Sequence, residues 1–224
     1  MTIEEKVGQM FHPPFTLKPD IWMLIYEIAI RGNKSTEAQI LFDNISHFNL
    51  YGNPSPAELE CGLMSNFTVP DICDQYEHIE IGDLFLNSYG HKNKFFGQVE
   101  TVKCEHSNSV VKELVLEDGN GKVLIINHTG TELCSMVGDQ IAKAAFENNW
   151  VGIITNGFIR DVEVIQNIDI GMYAMNSYPK KTDKSKGIGK IGIDVKLGSV
   201  DIHSGDWIYI DANGWVVSET ELKL

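Results

Sequence analysis

The sequence predicts an α/β domain, and three observations carry that prediction. Two short continuous apolar runs, Lys122–Asn127 (KVLIIN) and Val151–Thr155 (VGIIT), read as buried strands. Between them, Asp139–Asn148 places Ile141, Ala142, Ala145 and Phe146 on one side of a helix. Strand–helix–strand order is what a parallel sheet with covering helices requires.

Taken from the N-terminus, the chain begins differently. Ile21, Trp22, Leu24, Ile25, Ile28 and Ala29 follow helical spacing, with prolines 13, 14 and 19 before them and Gly32 at the C-cap position. Thr36 and Gln39 have the spacing of a capping box, and Ala38, Leu41, Ile45 and Phe48 share one face. Residues 1–60 are therefore expected to form a small helical extension, and Asn49–Pro56 (NLYGNPSP) a linker. From Ser65 onward the character changes. Thr68 is placed to cap a short helix over PDICDQY, with Pro70 in its first turn. Gly97–Lys103 alternates as a strand, and Gly198–Val217 holds two further strand signals with SGD and NG as turns. Lys180–Lys190 (KKTDKSKGIGK) reads as a solvated loop.

Composition narrows the function classes. Hydrophobic residues make up 43% and charged residues 22% of the 224, enough apolar material for a proper core. A net charge of −13 repels phosphate backbones and argues against direct nucleic-acid binding. Cys61, Cys73, Cys104 and Cys134 are scattered, without a CxxC pair or zinc-ligand spacing, which suits a reducing cytoplasm. The apolar run Ile21–Ile30 is too short to span a membrane and contains Glu27. Seven histidines, at 12, 47, 78, 91, 106, 128 and 203, lack ligand spacing and are read as structural or exposed. Neither GxGxxG, a P-loop nor a GxSxG elbow occurs.

The candidate chemistry lies in Val137–Asp161. Gly138-Asp139 opens a helix whose N-terminus offers backbone N–H groups and a positive dipole end to a carboxylate. The second strand ends in Asn156-Gly157-Phe158-Ile159-Arg160-Asp161, so both loops follow strand C-termini, where open α/β sheets bind ligands. Arg160 suits an oxyanion and Asp161 a hard divalent cation. On spacing alone, Asp139 reads as an N-cap and Arg160-Asp161 as a solvated surface pair.

Many segments, in order, resemble the RraA/4-hydroxy-4-methyl-2-oxoglutarate aldolase family: TVPDICDQY, FFGQVETVKC, VVKELV, GNGKVLIIN, VGDQIAKAAFENNWVGIITNGFIRD, IDIGMYAMNSYP, GIGKIGIDVKLGSV and HSGDWIYIDANGWVVSETEL. They span residues 66–224. The resemblance implies a swivelling β/β/α sandwich in a homotrimer, and a class II aldolase using Mg²⁺ or Mn²⁺ on 4-hydroxy-2-oxo acids and oxaloacetate. It implies Asp161 as metal ligand, Arg160 on the keto or enolate oxygen, Gly138, Asp139, Gln140 and Ile141 around the substrate carboxylate, and Asp139 in catalysis. Twenty residues separate Asp139 from Arg160, as in the aldolase signature. Val164 stands where an acidic residue is usual, and Asn127-His128-Thr129-Gly130-Thr131 replaces a glycine-rich turn. Some members instead bind and inhibit the endonuclease RNase E without catalysis, and the same segments resemble those regulators. A scaffold with an idle site is a third reading.

Overall fold

A computed structural model describes residues 67–183 and 189–224. The two helices and the linker expected before residue 60 lie outside the described residues. Helix α1 (Val69–Gln75) starts as expected: the Thr68 side chain accepts from the Asp71 N–H and Pro70 lies in the first turn.

The strands are β1 (Glu80–Ile81), β2 (Asn87–Ser88), β3 (Phe95–Cys104), β4 (Val123–His128), β5 (Ser135–Val137), β6 (Gly152–Ile159), β7 (Gly171–Ser177), β8 (Lys190–Ile191), β9 (Val195–Leu197), β10 (Val200–Ile202), β11 (Trp207–Asp211) and β12 (Gly214–Ser218). Three further helices are α2 (Ser109–Leu114), α3 (Asp139–Glu147) and α4 (Val162–Ile165). Among the described residues, ten strands join in one sheet, ordered β1-β12-β11-β3-β4-β6-β7-β2, with β5 on β6 and β8 on β3; β9 and β10 pair separately. Strand β3 belongs to two layers. Its residues 95–98 pair antiparallel with β11, and residues 99–104 pair parallel with β4.

Side-chain alternation then sorts the core into three. Leu124, Ile126, Ile153 and Met172 face α2 and α3 through Val111, Leu114, Ile141, Ala142 and Ala145. On the other face, Val123, Ile125 and Ile154 meet Val195 and Leu197 of β9, Ile208 and Ile210 of β11, and Trp215 and Val217 of β12. Because β4 and the first half of β6 are covered on both faces, they carry no polar alternation, which is why they read as continuous apolar runs. Tyr209 and Val216 point the opposite way, onto Phe67, Val69 and Ile72 at α1. The result is the expected β/β/α sandwich, with α1 on the outer face of the β11–β12 layer.

Several expectations need correction. The Gly198–Val217 stretch holds three strands rather than two, because the SGD and NG turns separate three extended segments. Lys180–Lys190 is not simply a solvated loop: Lys181 bridges to Ser135, Thr182 is buried, and Lys190 pairs with Lys103 of β3. Strand β6 does not stop at Thr155 but continues through Ile159 after a register shift between Thr155 and Phe158.

Asp211 ties α1 to the sheet. Its buried carboxylate accepts from the Val69 N–H at 2.9 Å, the Asn213 N–H at 2.7 Å and Asn213 Nδ2. Asp211→Ala leaves these donors without their acceptor, an expected cost of about 2–4 kcal/mol. Thermal denaturation should show the midpoint lowered by roughly 5–15 °C. An unchanged midpoint would mean that α1 is held by its apolar contacts alone.

Candidate active site

Three adjacent parallel strands assemble the site. Strand β5 pairs with the end of β6, placing Val137 beside Ile159, and the Arg160 N–H donates to the Val137 carbonyl at 3.0 Å. The next residue on one side is Gly138, and on the other Asp161. This pairing sets the start of α3 against the Arg160-Asp161 corner.

Gly138, not Asp139, is the N-cap of α3; Asp139 is the first helical residue. The N-cap expectation for Asp139 is therefore corrected by one position: the chain leaves its extended conformation only after Gly138 (φ −132°, ψ −176°). These dihedrals are open to any residue, so glycine is needed here for space. A Cβ at residue 138 would stand 2.8 Å from Asp161 Oδ2 and 3.3 Å from Arg160 Nε. The first bonds inside α3 run from the Ile141 and Ala142 N–H groups to the Gly138 carbonyl, so the Asp139 and Gln140 N–H groups precede the helical ladder.

Arg160 Nε and Asp161 Oδ2 form an ion pair at 3.2 Å, each side chain a little over one-third exposed. Asp161 is the N-cap of α4 and is left-handed (φ 59°, ψ 39°). Asp and Asn tolerate that conformation better than other side-chain-bearing residues. The turn aims the chain back into α4, whose Ile165 is fully buried.

A cleft of about 500 Å³ opens here, lined by Gly138, Asp139, Gln140 and Ile141 from α3, by Arg160, and by a far wall of Asn108, Lys112, Ser135 and residues 180–183. The residues singled out from sequence thus meet at one place, with Asp161 adjoining the cleft through Arg160 and Gly138. The far wall went unnoticed in the sequence. It is built by backbone: the Ser135 N–H donates to Lys180 O at 2.8 Å, Ser135 Oγ donates to Tyr178 O, and the Asp183 N–H donates to His106 O at 3.1 Å. Buried Asn108 joins it to β5, giving its Nδ2 to Met136 O and accepting from Thr182 Oγ1. One signal was available: residues 178–183 follow β7, a parallel strand, and its C-terminal end is a ligand-binding position.

Lys112, Arg160, Lys180 and Lys181 outnumber Asp139 and Asp183 around the cleft, although the whole chain carries −13. A concave site with a local positive excess draws in and holds anions. Among the described residues no group of three or more His, Cys, Asp or Glu is arranged to hold a metal ion. Any metal here would take few protein ligands, which is how Mg²⁺ is commonly bound.

The family described as RraA-like: Aldolase/RraA matches residues 69–217. The chain belongs to this family. A Pseudomonas fluorescens relative provisionally named 4-hydroxy-4-methyl-2-oxoglutarate aldolase is 40% identical over 162 residues, covering 72% of this chain and 99% of the relative. A Marinomonas relative with the same provisional name is 40% identical over 157 residues, covering 70% and 97%. Among solved structures, the RNA-processing inhibitor RraA of the Thermus protein superposes with a TM-score of 0.67 at 26% identity, covering 70% of this chain and 96% of that one. A Geobacillus kaustophilus structure named S-adenosylmethionine: 2-dimethylmenaquinone methyltransferase gives the same TM-score at 32% identity, covering 70% and 97%. The RraA-like domain of this chain thus spans nearly the full length of its relatives, and the site described above lies inside it. No helix among the described residues is long and apolar enough to cross a membrane.

Proposed function

We propose that this chain is a divalent-metal-dependent carbon–carbon lyase that releases pyruvate from 4-hydroxy-2-oxo acids and from oxaloacetate. The observation that carries the reading is the β5–β6 pairing, which brings the start of α3, Arg160 and Asp161 to one cation-rich cleft. The provisional aldolase names of relatives at 40% identity support the same chemistry. In this reading Gly138, Asp139, Gln140 and Ile141 take the substrate's 1-carboxylate, largely through N–H groups at the positive end of α3. Arg160 holds the 2-keto oxygen and the negative charge that develops on it. The lysines of the far wall suit a second carboxylate.

The donor set fits a hard cation held with few protein ligands. Asp161 offers carboxylate oxygen, and its Oδ2 occupies space that any side chain at residue 138 would fill. Mg²⁺ or Mn²⁺ bound there supplies Lewis-acid polarisation of the keto acid. For oxaloacetate, the C3–C4 bond breaks, CO₂ leaves, and the electron pair moves through C3 and C2 onto the keto oxygen beside Arg160. A proton then returns to C3. Asp139, at the cleft edge, is placed to hold the water that delivers it. The same proposal includes the homotrimer and the cytoplasmic location.

A second reading, a non-catalytic regulator that binds RNase E, is favoured by the likeness to the Thermus RNA-processing inhibitor. One experiment separates the two. Purified protein is treated with chelator, then assayed for pyruvate from oxaloacetate with and without added Mg²⁺ or Mn²⁺. The expected result is turnover with metal, none after chelation, and recovery on adding metal back. Turnover that survives chelation overturns the metal requirement; no turnover under any condition overturns the lyase and leaves the regulator.

A further inference from the structure

Behind the far wall of the cleft sit two histidines that the proposed reaction does not use. His106 follows the end of β3, and His128 ends β4 where the resemblance calls for a glycine-rich turn. Their rings lie edge to face with centroids 6.4 Å apart. His106 Nδ1 is buried and has no hydrogen-bond partner. Gly130 packs against it so closely that a Cβ there would be 2.6 Å from Nδ1 and 2.4 Å from the Glu105 carbonyl oxygen. His128 Nε2 lies 3.9 Å from Cys134 Sγ. Both histidines are tied by backbone to the cleft's supports: His106 O receives the Asp183 N–H, and the His128 N–H donates to Asn156 Oδ1 at 2.6 Å, inside the irregular stretch of β6.

We propose that His106 and His128 form a proton-sensitive latch that holds the 180–183 wall of the cleft in place when both rings are neutral and releases it when the pair takes up a proton. A neutral His106 leaves only an unmet acceptor at Nδ1. Protonation turns that atom into a buried donor facing Gly130, with a second imidazole alongside, and both changes are costly. The surrounding titratable groups offer little compensation. Burial raises the Cys104 thiol to about 11, so it stays neutral. Cys134 reaches His128 with its sulfur, and Glu105 and Asp183 are joined to the pair through their backbones. Burial, with a smaller contribution from His106, lowers the His128 pKa below its ordinary 6.5; the hydrogen bond to the Glu105 backbone opposes this less strongly. The sign follows. With the folded pKa below the unfolded one, the neutral latch is fully stable above 6.5, and that stability is lost as pH falls through the depressed value. The cleft is thereby closed to acid conditions, whatever anion it binds.

The test is hydrogen exchange on the full chain at pH 7.5 and 5.5, corrected for intrinsic rates, reading the Ser135 and Asp183 amides. Their protection should fall by about tenfold or more in acid, the equivalent of one pK unit, while the α1 amides (69–75) keep theirs. In His106→Gln/His128→Asn, and in His128→Asn alone should the double variant misfold, the acid loss should shrink or vanish. Protection that does not change with pH in the wild type overturns the latch. So does an equal loss in His128→Asn, or a wild-type loss shared equally by α1, which would mean global loosening.

Discussion

Replacing Arg160 by alanine should lower the turnover number for pyruvate release by roughly 10²–10³-fold, the usual cost of removing one donor from a developing oxyanion. The fold should not suffer, because the Arg160 backbone stays bonded to Val137 O and the side chain is more than one-third exposed. The melting temperature is therefore expected to stay nearly constant while kcat collapses. Added metal should not restore the loss, since the missing charge belongs to the protein. Arg160→Lys should recover only part of the activity: an ammonium group cannot keep the Nε contact to Asp161 and present a planar fork to the substrate at once. Steady-state kinetics on oxaloacetate with saturating Mg²⁺ checks this. A rise in KM with kcat intact would assign Arg160 to ground-state binding and remove it from the chemistry.

How far the site could be read from sequence depends on which interactions are local. Lys122–Asn127, Asp139–Asn148 and Val151–Thr155 were legible because burial on both faces, or on one helical stripe, leaves a periodic imprint. Residues Gly138 to Ile141 and Arg160-Asp161 were legible because they directly follow such elements. Strand β5 was not: three residues, Ser135–Val137, are too few to show a period, yet this strand brings Gly138 beside Arg160. The two-layer role of β3 was hidden as well, since it rests on pairing Phe95–Gln98 with residues 207–210, more than a hundred positions away. The 180–183 wall looked solvated because its Lys-Lys-Thr-Asp composition is polar. Its order comes from Ser135, Asn108 and His106, contacts made only once the sheet has formed. Asp139 was misplaced by one residue as an N-cap because Asp is favoured there, whereas the packing of Asp161 against the helix start demands glycine at that position.

That packing makes Gly138→Ala the most telling small change in the molecule. Gly138 has extended dihedrals, so alanine brings no backbone strain, and the effect of the substitution is confined to one methyl group. The methyl would sit 2.8 Å from Asp161 Oδ2 and 3.3 Å from Arg160 Nε, closer than real Cβ contacts allow. The Asp161 carboxylate must move, because the body of α3 behind Gly138 is anchored by buried Ile141, Ala142 and Ala145. Expected is a large loss of turnover, on the order of 10²-fold, as for other small displacements of a positioned group. The metal concentration needed for half-maximal rate should rise, with little change in melting temperature. Asp161→Asn separates charge from position. Asparagine accepts the left-handed backbone (φ 59°) as readily as aspartate, so the α4 turn should persist while the anionic oxygen is lost. The Asn variant should then require more metal, and excess Mn²⁺ should restore part of its rate. Gly138→Ala/Asp161→Asn should be little worse than the worse single variant if both act through the same carboxylate, because changes acting through one group do not add. Fully multiplicative losses would show that residue 138 acts on the substrate directly and that Asp161 is not the group it protects.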